Sequence, residues 1–185
     1  MTELVGAGVD EGRAVAVRLP DGPEVVLAMI AVWSVGAVFV PVTDRLPDAE
    51  VDRVLDETRP AAVVGVDGVV ARDAPHVRHE PGVAFVLWTS GTSGRPKPVL
   101  HTHAAYLELL DRVLGPLRSK PRDPAKPPSP NLIPVSMALN AGIYNALFGL
   151  RAGAPLVIMD RFTPGGFAEL VGRHGIRSTV LPPTA

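Results

Sequence analysis

The chain has 185 residues, a formal net charge of −1 at pH 7 and no cysteine. That length supports a domain with its own hydrophobic core, and the near-neutral charge argues against a nucleic-acid-binding surface. Because cysteine is absent, disulfides and thiolate metal sites are excluded.

Residues 15–66 alternate strand and helix patterns. Strands are predicted at 15–19, 38–42 and 61–66, and helices at 25–35 and 49–58. Asp21 and Asp48 can each cap one of these helices, and Gly36 can end the first one. Strands that alternate with helices in this rhythm predict a parallel α/β sheet.

The uncharged stretch 25–42 has the length of a marginal membrane span. Gly36 and Pro41 interrupt it, so we interpret it as a buried helix followed by a buried strand. Residues 1–13 are polar and glycine-rich and lack the apolar region of a secretory leader. We therefore expect a cytoplasmic protein without a membrane span.

The polar stretch 68–82 is expected to be a connection, and the coarse boundary between two halves of the chain falls there. Beyond it, strands are predicted at 83–88, 131–135, 155–159 and 178–181, and helices at 103–117, 140–151 and 164–174. Thr163 can cap the last helix, with Pro164 at its first position and Gly175 after its end. Six prolines in residues 115–130 predict a mobile, exposed loop. The helix predicted at 103–117 has apolar residues at helical spacing, namely Leu107, Leu110, Val113, Leu114 and Leu117.

A segment rich in glycine and hydroxyl groups follows the strand at 83–88. Residues 88–98 read Trp-Thr-Ser-Gly-Thr-Ser-Gly-Arg-Pro-Lys-Pro. Its glycines allow tight turns that bring several N–H groups to one point, and Lys97 adds a positive charge. Neutral hydroxyl donors come from Thr89, Ser90, Thr92 and Ser93. This combination suits a polyanion such as a triphosphate, although the spacing matches neither G-x-x-x-x-G-K-[ST] nor G-x-G-x-x-G.

The segment closely resembles the phosphate-binding signature [ST]-S-G-[ST]-[ST]-G-x-P-K-G of the adenylate-forming enzymes. That superfamily contains acyl-CoA synthetases, luciferases and the adenylation domains of peptide synthetases. The resemblance implies that Lys97 acts in catalysis and that ATP phosphates bind at Thr89, Ser90, Gly91, Thr92, Ser93, Gly94 and Lys97. Segments on either side are similar to other parts of acyl-CoA synthetases, in family order: 15–42, 47–62, 150–162 and 179–183.

The resemblance implies an α/β fold in three layers, with parallel sheets flanked by helices. Residues 1–185 would form an incomplete large domain, with the small C-terminal domain absent. The intact enzyme would be an acyl-CoA ligase, with a place in fatty acid metabolism. It would use ATP and Mg²⁺ to activate a carboxylic acid as acyl-adenylate and would transfer the acyl group to coenzyme A. The segment 88–98 would bind and release pyrophosphate, acting neither as nucleophile nor as base.

Two departures from the family pattern stand out. Pro98 replaces a usual glycine, which removes one N–H and fixes φ near −65°. If that N–H or a positive φ matters, glycine at position 98 should raise the adenylation rate.

Residues 134–142 lack the histidine that relatives often carry in this region. The acyl pocket is therefore expected around Met137, Asn140 and Tyr144, with Leu139 beside them.

Two other interpretations stay open. The chain could be a truncated phosphate-binding, nucleotide-binding or scaffold protein without catalysis. It could also be a family member weak in adenylation, which Pro98 suggests, that acts on acyl-adenylate. Sequence beyond residue 185 would separate them.

His101 and His103 have no carboxylate at ligand spacing and do not share a helix face, so packing at the start of the next helix is favoured over metal binding.

Overall fold

The computed structural model describes residues 1–89, 97–118 and 128–179. Its chain divides into two compact units. The N-terminal unit comprises Met1–Pro20 and Glu24–His103, and the C-terminal unit comprises Asp21–Pro23 and Ala104–Ala185. In the part of the chain that is described, no helix is long and apolar enough to cross a membrane.

The N-terminal unit contains one six-stranded sheet with the order β4-β3-β1-β2-β5-β6. Its strands are β1 Ala14–Val17, β2 Val38–Pro41, β3 Ala62–Gly65, β4 Gly68–Ala71, β5 Val83–Thr89 and β6 Lys97–Thr102, and its helices are α1 Thr2–Gly6, α2 Pro23–Ser34 and α3 Asp48–Thr58. The four inner strands are parallel, with Val15 opposite Phe39 and Phe39 opposite Phe85. The two edge strands, β4 and β6, run antiparallel to their neighbours.

Strands β1 and β2 and most of β5 are buried because their residues are almost all apolar. Every residue of β1 and β2 is buried, as is typical of parallel strands covered on both faces. Helix α2 buries Val25, Val26, Met29 and Val32, whereas Leu27 and Ile30 on its other side are exposed. Helix α3 buries Val51 and Val54 on one face, as its sequence pattern predicts.

The C-terminal unit holds most of α4 His103–Arg118, then β7 Asn131–Ile133, α5 Asn140–Ala152, β8 Leu156–Ile158 and α6 Pro164–His174. Strands β7 and β8 pair in parallel. The prediction for α6 is confirmed: Pro164 begins it, the Thr163 hydroxyl accepts a hydrogen bond from the Gly166 amide, and Gly175 ends it with φ of 59°. The α/β fold class, with sheet strands flanked by helices, is likewise confirmed.

Several boundaries differ from the prediction. The stretch 68–82 is not only a connection, because β4 folds back on β3 there, and the two units divide at His103 instead. Asp48 does not cap α3, since Pro47 holds the cap position and no side chain bonds to the helix start. The buried positions of α4 are Tyr106, Leu110 and Leu114.

The edges of the predicted elements also shift. Residues 97–102 form β6, so the sheet is mixed at its edges rather than parallel throughout. Helix α4 continues to Arg118, past the predicted start of the proline-rich loop 115–130, most of which lies outside the described residues. Of the predicted strand 178–181, Thr179 forms an isolated bridge with Leu132, and 180–185 are not described.

Candidate phosphate-binding hairpin and acyl-pocket wall

The β5–β6 hairpin places the two ends of the glycine-rich segment opposite each other. Thr89, the last residue of β5, pairs with Lys97, the first residue of β6. Strand β5 is buried from Val83 to Leu87. These residues anchor the first strand of the hairpin in the core. Ser90, Gly91, Thr92, Ser93 and Gly94 lie outside the described residues. The described ends of the predicted phosphate-binding segment, Thr89 and Lys97, are thus paired in an antiparallel hairpin whose first strand is a central parallel strand.

The Lys97 side chain is exposed at the end of this hairpin. The backbone carbonyl oxygen of Lys97 accepts a 3.4 Å hydrogen bond from the Thr89 hydroxyl, and this bond links the two strand ends. Within the residues that the structure describes, no carboxylate forms an ion pair with the Lys97 ammonium. This charge is therefore available to an anionic ligand.

Pro98 lies inside β6, opposite Trp88. Strand β6 is the last strand of the sheet order and therefore an edge strand. Proline is tolerated at sheet edges because an edge strand has backbone groups that need no partner strand. The residue that departs from the family signature thus occupies extended backbone, a conformation in which its fixed φ is acceptable.

Aromatic side chains support the base of the hairpin. The His101 ring stacks on Phe85 with a centroid separation of 4.9 Å, and the His103 ring meets Trp33 edge-on at 5.1 Å. The Trp33 indole N–H donates a 2.7 Å hydrogen bond to the Ala84 carbonyl. Burial lowers the pKa of both histidines below the ordinary value. Both imidazoles pack against aromatic rings, in keeping with the packing role predicted for them.

Magnesium is the ion that the family resemblance implies. Carboxylate oxygens and water are its usual ligands. In the ranges 1–89, 97–118 and 128–179, no three or more His, Cys, Asp or Glu side chains come together to form a metal site.

The residues predicted for the acyl pocket lie in the segment after β7 and at the start of α5. Asn140 is the first residue of α5 and is exposed, while Tyr144 is half-buried one turn further along. Met137 is only 1% exposed, so its side chain is closed off from solvent. The structure thus brings Asn140 and Tyr144 to one end of α5, with Met137 packed in the core before it. We refer to residues 136–144 as the pocket wall.

Tyr106 of α4 contacts this wall. Its hydroxyl donates a 2.9 Å hydrogen bond to Asn140 Oδ1, and its ring meets the Tyr144 ring edge-on at 6.5 Å. Tyr144 in turn stacks on Phe148 at 6.0 Å. Burial, together with the neighbouring Tyr144 hydroxyl, raises the pKa of Tyr106 well above its ordinary value. Sequence reasoning missed Tyr106, although its spacing of four from Leu110 places both on one helix face.

Asp21 supports the other end of the wall. Its carboxylate oxygen Oδ1 accepts a 2.7 Å hydrogen bond from the Met137 amide and a 3.2 Å bond from the Ser136 hydroxyl. The Ser136 hydroxyl also accepts from the Ala138 amide at 3.2 Å. Asp21 is only 8% exposed. The sequence marked Asp21 as a helix cap but could not reveal a partner 116 positions away.

Comparison with known proteins gives the family. The profile of the AMP-binding enzymes matches this sequence over residues 3–81 and 67–185. The chain belongs to the AMP-binding enzyme family. That match confirms the resemblance to adenylate-forming enzymes inferred from the segment 88–98.

Two curated relatives illustrate the sequence similarity. The chain is 30% identical over 187 residues to CymA of Salinispora arenicola, a probable non-canonical nonribosomal peptide synthetase, and 98% of the chain is covered. It is 30% identical over 197 residues to phenyloxazoline synthase MbtB of a Mycobacterium species, with 95% of the chain covered. The chain spans only 2% and 16% of these two relatives.

Among solved structures, the o-succinylbenzoate coenzyme A synthetase MenE of Bacillus subtilis, in complex with AMP, shares the fold with a TM-score of 0.79 at 18% identity. The match covers 98% of this chain and 52% of the MenE chain. MenE has also been solved with ATP and magnesium, and that structure matches with a TM-score of 0.74. This member of the AMP-binding family therefore spans about half the length of MenE.

Proposed function

We propose that the full-length protein carrying this chain activates a carboxylic acid with ATP, forming an acyl-adenylate and pyrophosphate. The observation that carries the proposal is the β5–β6 hairpin, which presents the exposed Lys97 side chain at the end of the glycine-rich segment 88–98. Family membership supplies the reaction class. The hairpin binds the β- and γ-phosphates of ATP.

Lys97 has an electrostatic role in this reaction. As the acid carboxylate attacks the α-phosphate, the bond to the β-phosphate breaks and negative charge grows on the departing pyrophosphate. A fixed positive charge beside that group stabilises the transition state more than the ground state. The Thr89 hydroxyl and the backbone and hydroxyl donors of residues 90–94 act alongside Lys97.

The pocket wall receives the acid in this proposal. Asn140 and Tyr144 contact the acyl part of the substrate, and Met137 shapes the wall from behind. The buried Asp21 carboxylate and the Tyr106 hydroxyl fix the backbone and one side chain of the wall. A rigid wall reduces the entropy that the site loses when a ligand binds.

For the second half-reaction we propose coenzyme A as the thiol that displaces AMP and gives an acyl thioester. MenE, whose name states that it is a coenzyme A synthetase, supports this acceptor. A specific observation favours a second candidate, an adenylation module of a peptide synthetase whose acceptor is the thiol of a carrier protein. CymA is described as a probable nonribosomal peptide synthetase, and its match covers 98% of this chain. Incubating acyl-adenylate with coenzyme A or with carrier protein, and measuring AMP release, separates the two.

The proposed adenylation is tested by acid-dependent exchange of labelled pyrophosphate into ATP. In the full-length protein, Lys97→Ala should slow exchange by roughly 10- to 150-fold, the equivalent of losing a charge-assisted hydrogen bond of about 1.5–3 kcal/mol. Thioester formation from presynthesised acyl-adenylate should fall much less. Lys97→Arg, which keeps the charge, is the matched control and should retain most of the exchange rate.

Two results would contradict this role of Lys97. Equal losses in both half-reactions would point to a general folding defect. Undiminished exchange in Lys97→Ala would remove the lysine from the phosphate site.

A further inference from the structure

The Tyr106–Asn140 hydrogen bond determines which part of the Asn140 amide faces outward. Tyr106 is 5% exposed, and its hydroxyl donates to Asn140 Oδ1 at 2.9 Å. Asn140 itself is exposed. Because the oxygen and nitrogen of an amide lie on opposite sides of one carbon, Nδ2 points away from Tyr106. Among the residues that the structure describes, none accepts a hydrogen bond from Asn140 Nδ2.

Tyr106 is well suited to fix this orientation. Its ring meets the Tyr144 ring edge-on, a contact that helps to hold the phenol beside Asn140. Burial raises the pKa of the phenol, so the hydroxyl keeps its proton at neutral and mildly alkaline pH. A phenol that keeps its proton can donate it, and the 2.9 Å hydrogen bond places the Asn140 oxygen as its acceptor.

We propose that Tyr106 is a positioning residue for Asn140, and that the pocket wall consequently presents N–H donors to a substrate acid that carries a hydrogen-bond acceptor in addition to its carboxylate. This inference rests on the proposed function and narrows its substrate class. An acid with a ketone, ester or amide oxygen in the acyl chain can accept a hydrogen bond from one N–H group of Asn140 Nδ2. A purely alkyl acid leaves both N–H groups without an acceptor when it displaces water from the wall, which costs affinity.

The test uses matched acids that differ only in an acceptor. In the full-length protein, KM and kcat for pyrophosphate exchange are measured with heptanoate and the oxoheptanoates, and with benzoate and the acetylbenzoates. A ketone oxygen accepts a hydrogen bond but cannot donate one. We expect at least one keto acid to have a KM about tenfold lower than its parent acid, with similar kcat, the value of one good hydrogen bond.

A double-mutant cycle separates positioning from simple packing. Asn140→Leu should bring the KM values of keto and parent acids to parity. Tyr106→Phe, which keeps the ring and removes the hydroxyl, should raise the KM for the keto acid about three- to tenfold more than the KM for the parent acid. In the Asn140→Leu background, Tyr106→Phe should have no further effect on selectivity, because the hydroxyl acts through Asn140.

Three results would overturn the inference while leaving the proposed function intact. They are exchange without any preference for keto acids, an equal effect of Tyr106→Phe on both acids, and an undiminished effect of Tyr106→Phe in the Asn140→Leu background.

If no acid supports exchange, the proposed function fails, and the side-chain amide resonances of Asn140 decide the inference without turnover. Shifts of these resonances on addition of a keto acid, and not of its parent, would sustain it. The absence of such shifts would refute it.

Discussion

Pro98 is a proline in an edge strand, opposite Trp88. Because this extended backbone accepts proline, we expect Pro98→Gly to leave the rate of pyrophosphate exchange unchanged. The substitution should lower the free energy of unfolding by up to ~1 kcal/mol, since glycine makes the unfolded chain more flexible. Exchange kinetics and urea unfolding of the same variant provide the check. A clear rise in exchange rate would show that the proline does withhold a donor or a conformation that phosphate binding needs.

Asp21 is the residue whose loss should most disturb the pocket wall. Asp21→Ala removes the acceptor of the buried Met137 amide and of the Ser136 hydroxyl. Leaving such a donor unpaired costs about 1–3 kcal/mol of unfolding free energy. Asp21→Asn keeps an acceptor oxygen at the same place and should recover most of the loss. The measurement is urea unfolding followed by circular dichroism.

Asp10→Ala serves as the comparison for Asp21. Asp10 pairs with Arg13 and Arg78 at an exposed position, where ion pairs contribute little to stability. Its removal should cost less than that of Asp21. An Asp21→Ala variant no less stable than Asp10→Ala would show that the Asp21–Met137 hydrogen bond is unimportant.

At the level of elements, Gly142 permits the close approach of α5 to the segment before it. A Cβ at this position would lie 2.2 Å from the Ser136 carbonyl oxygen and 2.9 Å from the Met137 Cα. Gly142→Ala should therefore displace the first turn of α5 and destabilise the protein by about 1–3 kcal/mol. It should also impair acid binding, because Asn140 lies in the same turn.

Gly172→Ala is the matched control on another helix. Gly172 of α6 has open space around it. Alanine there should stabilise the helix by roughly 0.5–1 kcal/mol, because glycine is the poorer helix former. Thermal unfolding of both variants tests the contrast, and similar melting temperatures would contradict it.

The sequence predicted most helices and strands but not how they pair. Strand and helix patterns identify β1, β2, β3, β5, β7, β8 and α2–α6, because those patterns follow from which side of an element is buried. Strand β6 was not predicted from the sequence, because its residues are nearly all exposed and do not alternate between apolar and polar. The apolar positions predicted for α4 include the buried Leu110 and Leu114 but miss Tyr106, because leucines lie on several sides of the helix and only packing selects the buried face.

For the candidate site, the segment 88–98 and residues 137–144 came from a local sequence pattern and a family resemblance. The residues that support the pocket wall could not be found that way. Asp21 and Tyr106 act on partners 116 and 34 positions away in the chain. No local spacing rule encodes such contacts, which appear only once the chain has folded.

At the level of the whole molecule, the stability of the fold should decrease as the pH falls through about 6.5. Burial lowers the pKa of His79, His101 and His103 below the ordinary value of 6.5. Between the lowered pKa and 6.5, the unfolded chain binds more protons than the folded chain, so protonation favours unfolding. The stability contributed by the neutral imidazoles is fully present above pH 6.5 and is lost as the pH falls through the lowered values.

Melting temperatures measured by circular dichroism at about pH 7.5 and about pH 5.5 test this expectation. The higher value should occur at the higher pH. His101→Gln should reduce the difference between the two, and His174→Gln, at an exposed position of α6, controls for the loss of an imidazole elsewhere. Equal melting temperatures for the unmodified chain at both pH values would count against it.

The division into two units separates the chromophores of the chain. Both tryptophans, Trp33 and Trp88, belong to the N-terminal unit, and both tyrosines, Tyr106 and Tyr144, belong to the C-terminal unit. Indole fluorescence therefore reports on the first unit alone, and the near-ultraviolet signal of tyrosine reports on the second. A denaturation experiment on this chain can follow each unit by its own natural probe, without any label. Coincident transitions would mean that the units unfold as one cooperative system, and separate transitions would assign a stability to each.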